Sequence, residues 1–136
     1  MYKNRDNCVI ILSIIEVGEV MPKIDLSITI ENQNNKNHLQ TKAIIIEDEI
    51  IYKEKDDTLT HFNYEKNSLV RENKDLIMNY TFIENQKTEG TIKVKEFNKK
   101  IKVFIETKEI KKENHDIEIE FIVEDNHFIY RIEEIK

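Results

Sequence analysis

Ile24, Leu26, Ile28 and Ile30 alternate with Asp25, Ser27, Thr29 and Glu31 in an unbroken period of two. That period places the four apolar side chains on one face of a strand, whereas a helix needs apolar spacings of three and four. The same alternation recurs in Leu76, Met78, Tyr80 and Phe82, in Ile101, Val103 and Ile105, and in Ile117, Ile119, Phe121 and Val123. Together with the turn residues below, the pattern predicts about ten strands, near 23–31, 38–46, 49–55, 58–64, 68–72, 75–83, 87–96, 100–110, 116–124 and 127–135.

Only two glycines are present, so the turns between these strands must use other residues that enter the left-handed backbone region. Asn and Asp do so by bonding to their own backbone. They fall at Asn32 to Asn35, Glu47-Asp48, Asp56-Asp57, Lys66-Asn67, Asn73-Lys74, Asn85-Gln86, Asn98-Lys99, Asn114 and Asp125-Asn126. Turns spaced roughly 7–15 residues apart suit an antiparallel barrel or sandwich. The expected fold is therefore all-β, a single closed or nearly closed antiparallel barrel of eight to ten strands.

The last hairpin carries its own register test. A two-residue turn at Asp125-Asn126 sets Val123 opposite Phe128, Phe121 opposite Tyr130 and Ile119 opposite Ile132. Glu120 then meets Arg131 and Ile122 meets Ile129, and Glu118 opposite Glu133 is the one poor pair.

Residues 22–136 are the expected barrel domain. In residues 1–21 the apolar run Val9 to Ile15 is too short for a secretory signal and lacks a small-residue cleavage site. Gly18-Glu19 is encoded by codons that readily spell a ribosome-binding sequence just before Met21. The segment is either an over-extended gene start or an extra edge strand.

Three stretches resemble the YwiB-like proteins of Gram-positive bacteria, a calycin-type (lipocalin-like) barrel family. They are Ile24-Asp25-Leu26-Ser27-Ile28, then Ala43 to Ile46 through Ile50-Ile51-Tyr52, then Gly90 to Val94 through Ile101 to Thr107. Where relatives carry a Thr-Pro-aromatic-Gly turn, this chain has Lys95-Glu96-Phe97-Asn98. The resemblance implies a barrel and no particular activity.

Composition narrows the function classes. Net charge is -6, which argues against a nucleic-acid partner, and the mixed run Lys108 to Lys112 lacks an aromatic stacking platform. No apolar run approaches the roughly 20 residues of a membrane helix, so no membrane role is expected. The single cysteine, Cys8, rules out a disulfide framework and, with the missing signal, implies the cytosol. No nucleophile elbow is present, and the carboxylates Glu47-Asp48-Glu49, Asp56-Asp57, Glu118, Glu120 and Glu124 fall on turns or on the polar side of strands. His38, His61, His115 and His127 read as solvated or turn residues, since His115 and His127 sit at opposite ends of one hairpin. Arg71 and Arg131 could anchor an anion, but a cross-strand Glu partner is the plainer reading for both. No catalytic residue, metal site or cofactor is expected.

What remains is the interior. Barrels of this size are either filled by their own side chains or hold one small ligand. The inward candidates are Met78, Tyr80, Phe82, Phe121 and Tyr130. The expected function is a non-catalytic binding module for a small, partly apolar molecule. The alternative is a protein–protein adaptor, or a homodimerising barrel with a solid core.

Overall fold

The computed structural model describes residues 23–135. Ten strands follow one another in chain order: β1 (Lys23–Asn32), β2 (Asn35–Ile46), β3 (Glu49–Lys53), β4 (Leu59–Asn63), β5 (Ser68–Glu72), β6 (Leu76–Thr81), β7 (Lys87–Val94), β8 (Lys99–Glu113), β9 (Asp116–Val123) and β10 (Asn126–Glu134). Each pairs antiparallel with its neighbours, and β1 pairs with β10, so the sheet closes into a barrel. Among the described residues, no helix is long and apolar enough to cross a membrane. The expectations for residues 1–21 lie outside the described residues.

Alternation sorts the side chains. Leu26, Ile28, Ala43, Ile50, Phe62, Leu69, Ile105, Ile117, Ile119 and Ile132 converge in one buried core. Asn and Asp hold the turns as expected: Asp57, Asn67, Asn85, Asn98, Asn114 and Asp125 all have positive φ. Asn98, at φ 49°, closes the Lys95 to Asn98 turn, and its N–H donates to the Lys95 carbonyl at 3.2 Å. Glu47 and Glu124 also take positive φ, without the side-chain advantage of Asn or Asp.

The last hairpin departs from the expected register. Its turn is Glu124-Asp125, both residues at positive φ, as a two-residue turn of the type favoured in hairpins requires. Phe121 therefore faces Phe128, Ile119 faces Tyr130, and Ile117 faces Ile132. Moving the turn back by one residue changes the partners and preserves both faces. It also removes the Glu118–Glu133 mismatch, because Glu118 now faces Arg131. Phe121 and Phe128 stack, with centroids 5.4 Å apart and planes at 19°.

A bulge between Thr107 and Glu109 resets β8. Val103, Ile105 and Thr107 are buried on one side of it, and beyond it Ile110 packs against the core while Glu109 stays exposed. One extra residue thus keeps the Lys108 to Lys112 run from driving a carboxylate inward.

Gly90 in β7 marks a close approach. A Cβ there would lie 2.7 Å from Ile105 Cδ1, 2.9 Å from the Asn79 carbonyl oxygen and 2.9 Å from Tyr80 Cδ1. The backbone oxygen cannot swing away as a side-chain tip could. Gly90→Ala is expected to destabilise the barrel by about 1–3 kcal/mol; an unchanged urea midpoint would show that β6 and β7 can separate there.

The seam is clamped from outside. Arg131 on β10 donates from Nε to Glu118 Oε1 on β9 at 2.6 Å, and from Nη1 to Glu31 Oε1 on β1 at 2.6 Å. Both carboxyls are held below their ordinary range, chiefly by the Arg131 hydrogen bond. A depressed folded-state pKa means stabilisation that is present above the unfolded value, about 4.3 for Glu, and lost as pH falls through the folded value. Arg131→Met should therefore lower stability at pH 7, with the gap from wild type narrowing as pH falls from the unfolded value towards about pH 3. A gap that stays constant between those two pH values in urea titrations would remove the clamp.

Candidate functional site

The interior is not filled evenly. Towards the end bearing the β9–β10 turn it opens into a cavity of about 270 Å³. One wall is Leu69, Met78, Tyr80, Ile92 and Val103; the other is Ile30, Phe121, Val123, Phe128 and Tyr130. Arg71, Glu124 and Asn126 are its remaining residues, so polar groups are few among apolar ones.

Of the five expected inward residues, Met78, Tyr80, Phe121 and Tyr130 line this cavity. Phe82 does not: it is buried behind the wall, with its ring 4.9 Å from that of Phe121 and 6.3 Å from that of Tyr80. It props the lining rather than forming it. Phe121 and Tyr130 do not oppose each other across the hairpin, for the register reason given above.

Beside the cavity lies a polar cluster that the sequence reading missed. Arg71 donates from Nε to Glu54 Oε2 at 2.8 Å and from Nη2 to Glu54 Oε1 at 2.6 Å, a two-pronged pair. Thr60 Oγ1 donates to Glu54 Oε2 at 2.7 Å. Glu54 is held just past β3 by its own turn, its N–H donating to the Thr58 carbonyl and its carbonyl accepting from Asp57. A signal for this existed. Ile50, Tyr52 and Glu54 share one parity, as do Leu69 and Arg71, so opposite charges stand in line with two buried faces. Arg71 thus has the Glu partner expected of it, two strands away rather than on the neighbouring one.

Burial is the largest single influence on Arg71 and opposes its charge, but the Glu54 hydrogen bond and the Glu54 charge together outweigh it, so its pKa lies above the ordinary Arg value. Tyr52 and Tyr130 join their hydroxyls across the lumen at 2.6 Å. Burial raises the pKa of both, so each stays a neutral phenol. Tyr80 is raised too, by burial and, less strongly, by Glu124, with Arg71 acting against both. Its hydroxyl has no hydrogen-bond partner among the described residues.

The histidines are spread over the surface. His38 lies 2.6 Å from Ser27 Oγ, His115 3.1 Å from Glu134, and His127 2.6 Å from Glu120. His61 differs from the solvated expectation: its side chain is only 12% exposed, Nδ1 lies 3.3 Å from Glu49, and Nε2 is buried without a described partner. Glu118 and Glu120 sit on the outer face and Glu124 is an exposed turn residue, as expected; Glu124 also borders the cavity at its turn end. Among the described residues, no group of three or more His, Cys, Asp or Glu is placed to hold a metal ion.

The two tyrosines of the cavity should respond differently. Tyr130→Phe strands the Tyr52 hydroxyl and is expected to cost about 1–3 kcal/mol, whereas Tyr80→Phe should leave the urea midpoint nearly unchanged. Equal losses for the two would mean that Tyr80 has a structural bond after all. Arg71→Met should cost about 1–3 kcal/mol by orphaning the partly buried Glu54, and adding Glu54→Leu should recover most of it. A double variant no more stable than Arg71→Met would refute that account.

Comparison with known proteins gives no match to a family model and none to a curated protein. The crystal structure of ywiB protein from Bacillus subtilis does match, with a TM-score of 0.52 at 13% identity, covering 84% of this chain and 91% of that one. At that identity the likeness concerns fold alone: the chain has a YwiB-like β-barrel.

Proposed function

We propose that this barrel is a non-catalytic binding module for a small, mostly apolar molecule held in the cavity. The carrying observation is the cavity itself, about 270 Å³ with a nearly continuous apolar and aromatic wall. Its volume is close to the lower end of small-molecule pockets, roughly 300–1,000 Å³. Aromatic and sulfur side chains suit a compact apolar body, and a few polar groups can orient it. This reading includes a cytosolic location, where an unpaired cysteine fits the reducing conditions. It also includes membership of the calycin-type YwiB-like family, supported by the shared fold and by the three stretches quoted above.

A second reading has its own observation. Phe97, Ile101 and Phe104 are exposed on and beside the β7–β8 turn, with Phe97 72% exposed. Such side chains suit an adaptor surface or a homodimer.

Native mass spectrometry of the gently purified protein separates the two. The binding module should show a monomer carrying added small-molecule mass, lost in a cavity-filling Val103→Phe variant that keeps its fold. A dimer or protein complex with an empty barrel supports the second reading instead.

A further inference from the structure

We propose that the cavity selects uncharged molecules that pair a compact apolar body with one carbonyl-type acceptor, and that Arg71 and Tyr80 jointly bind that acceptor. The inference rests on the binding reading above and names its ligand class. Three observations carry it.

The first is donor accounting. Glu54 occupies Arg71 Nε and Nη2, and Nη1 makes no hydrogen bond to a described residue. Tyr80 is 8% exposed, lines the same cavity and has a free hydroxyl. Arg71 faces Met78 across β5–β6 while Leu69 faces Tyr80, so Arg71 and Tyr80 are diagonal neighbours on the inward face. Diagonal positions lie roughly 7–8 Å apart, within joint reach for side chains of this length. Two donors without a described acceptor therefore belong to neighbouring residues that line one largely apolar cavity.

The second is charge. The Arg71 guanidinium is already matched by Glu54, and Glu124 adds a negative group to the cavity wall. A ligand carboxylate would enter without a countercharge of its own, which low-dielectric surroundings penalise. A ketone, aldehyde, ester or amide oxygen accepts from both donors and brings no charge.

The third is size. At about 270 Å³ the cavity sits near the lower end of small-molecule pockets, which suits one ring with a short substituent.

The test uses three probes of one shape on the full chain at pH 7, with affinities from ligand-observed saturation-transfer NMR: acetophenone, ethylbenzene and benzoate. Acetophenone and ethylbenzene should bind, and benzoate should bind at least tenfold more weakly than acetophenone. In Tyr80→Phe the acetophenone-to-ethylbenzene affinity ratio should fall about fivefold, the scale of one lost hydrogen bond. If the ratio is the same in Tyr80→Phe and wild type, or benzoate binds tightest, the acceptor assignment is overturned while the binding module stands. If none of the three binds, the binding reading fails and takes this inference with it. The benzoate comparison needs no variant, so the outcome does not hang on how Tyr80→Phe folds.

Discussion

Closure of the sheet by β1 against β10 is the constraint on which everything else depends. It removes both sheet edges and gives nearly every residue one of two addresses, lumen or outer face. It also fixes the bore. About eight strands make a lumen that side chains just fill, and the diameter grows with strand number. Ten strands therefore leave interior space that must be occupied by bulk or left empty. One end of this barrel is filled by rings and branched side chains such as Phe62, Phe82, Ile105 and Ile119. Towards the β9–β10 turn the supply runs short, and the cavity is the remainder. Gly90 contributes by surrendering its own side-chain volume so that Tyr80 can lie against the wall.

A wide lumen makes buried polarity manageable only where partners meet. Glu54 and Arg71 come from segments separated by β4, and Thr60 on that strand completes the carboxylate's bonds. Removing either charge leaves the other half-buried without its partner, which is why such pairs persist even when their net contribution is small. The Tyr52–Tyr130 bond works on the same terms, tying β3 to β10 through the interior rather than through the sheet. These bonds stiffen the cross-section beside the cavity, so the space there is held open by a framed wall.

Much of this was legible in the chain. The period of two marked β1, β6, β8 and β9, and Asn and Asp marked most of the turns that bound the other strands, because both signals depend on local backbone geometry. Register was harder. The choice between Glu124-Asp125 and Asp125-Asn126 turns on which pair accepts positive φ, and Asn126 is by residue type the better candidate; the Glu118–Arg131 pair and the Phe121–Phe128 stack decide against it. The bulge at Thr107 was hidden for a similar reason, since only packing against β9 requires it. The polar cluster was missed because charged residues are usually assigned to the surface, although their parity with Tyr52 and Leu69 said otherwise.

Residue type and inward parity do not by themselves make a site. Tyr80 and Tyr130 share both, yet the Tyr130 hydroxyl is spent on Tyr52 while that of Tyr80 faces open volume. Nor is an unsatisfied polar atom enough. Thr107 Oγ1 is buried without a partner, but Thr107 sits fully enclosed at a bulge, outside the cavity lining, and nothing could reach it. Its cost is a local consequence of turning β8. Tyr80 differs because its lone donor, a second donor on Arg71 and an apolar space coincide. An acceptor that enters can meet both donors while its apolar body stays against the wall, and that combination is what can select among ligands.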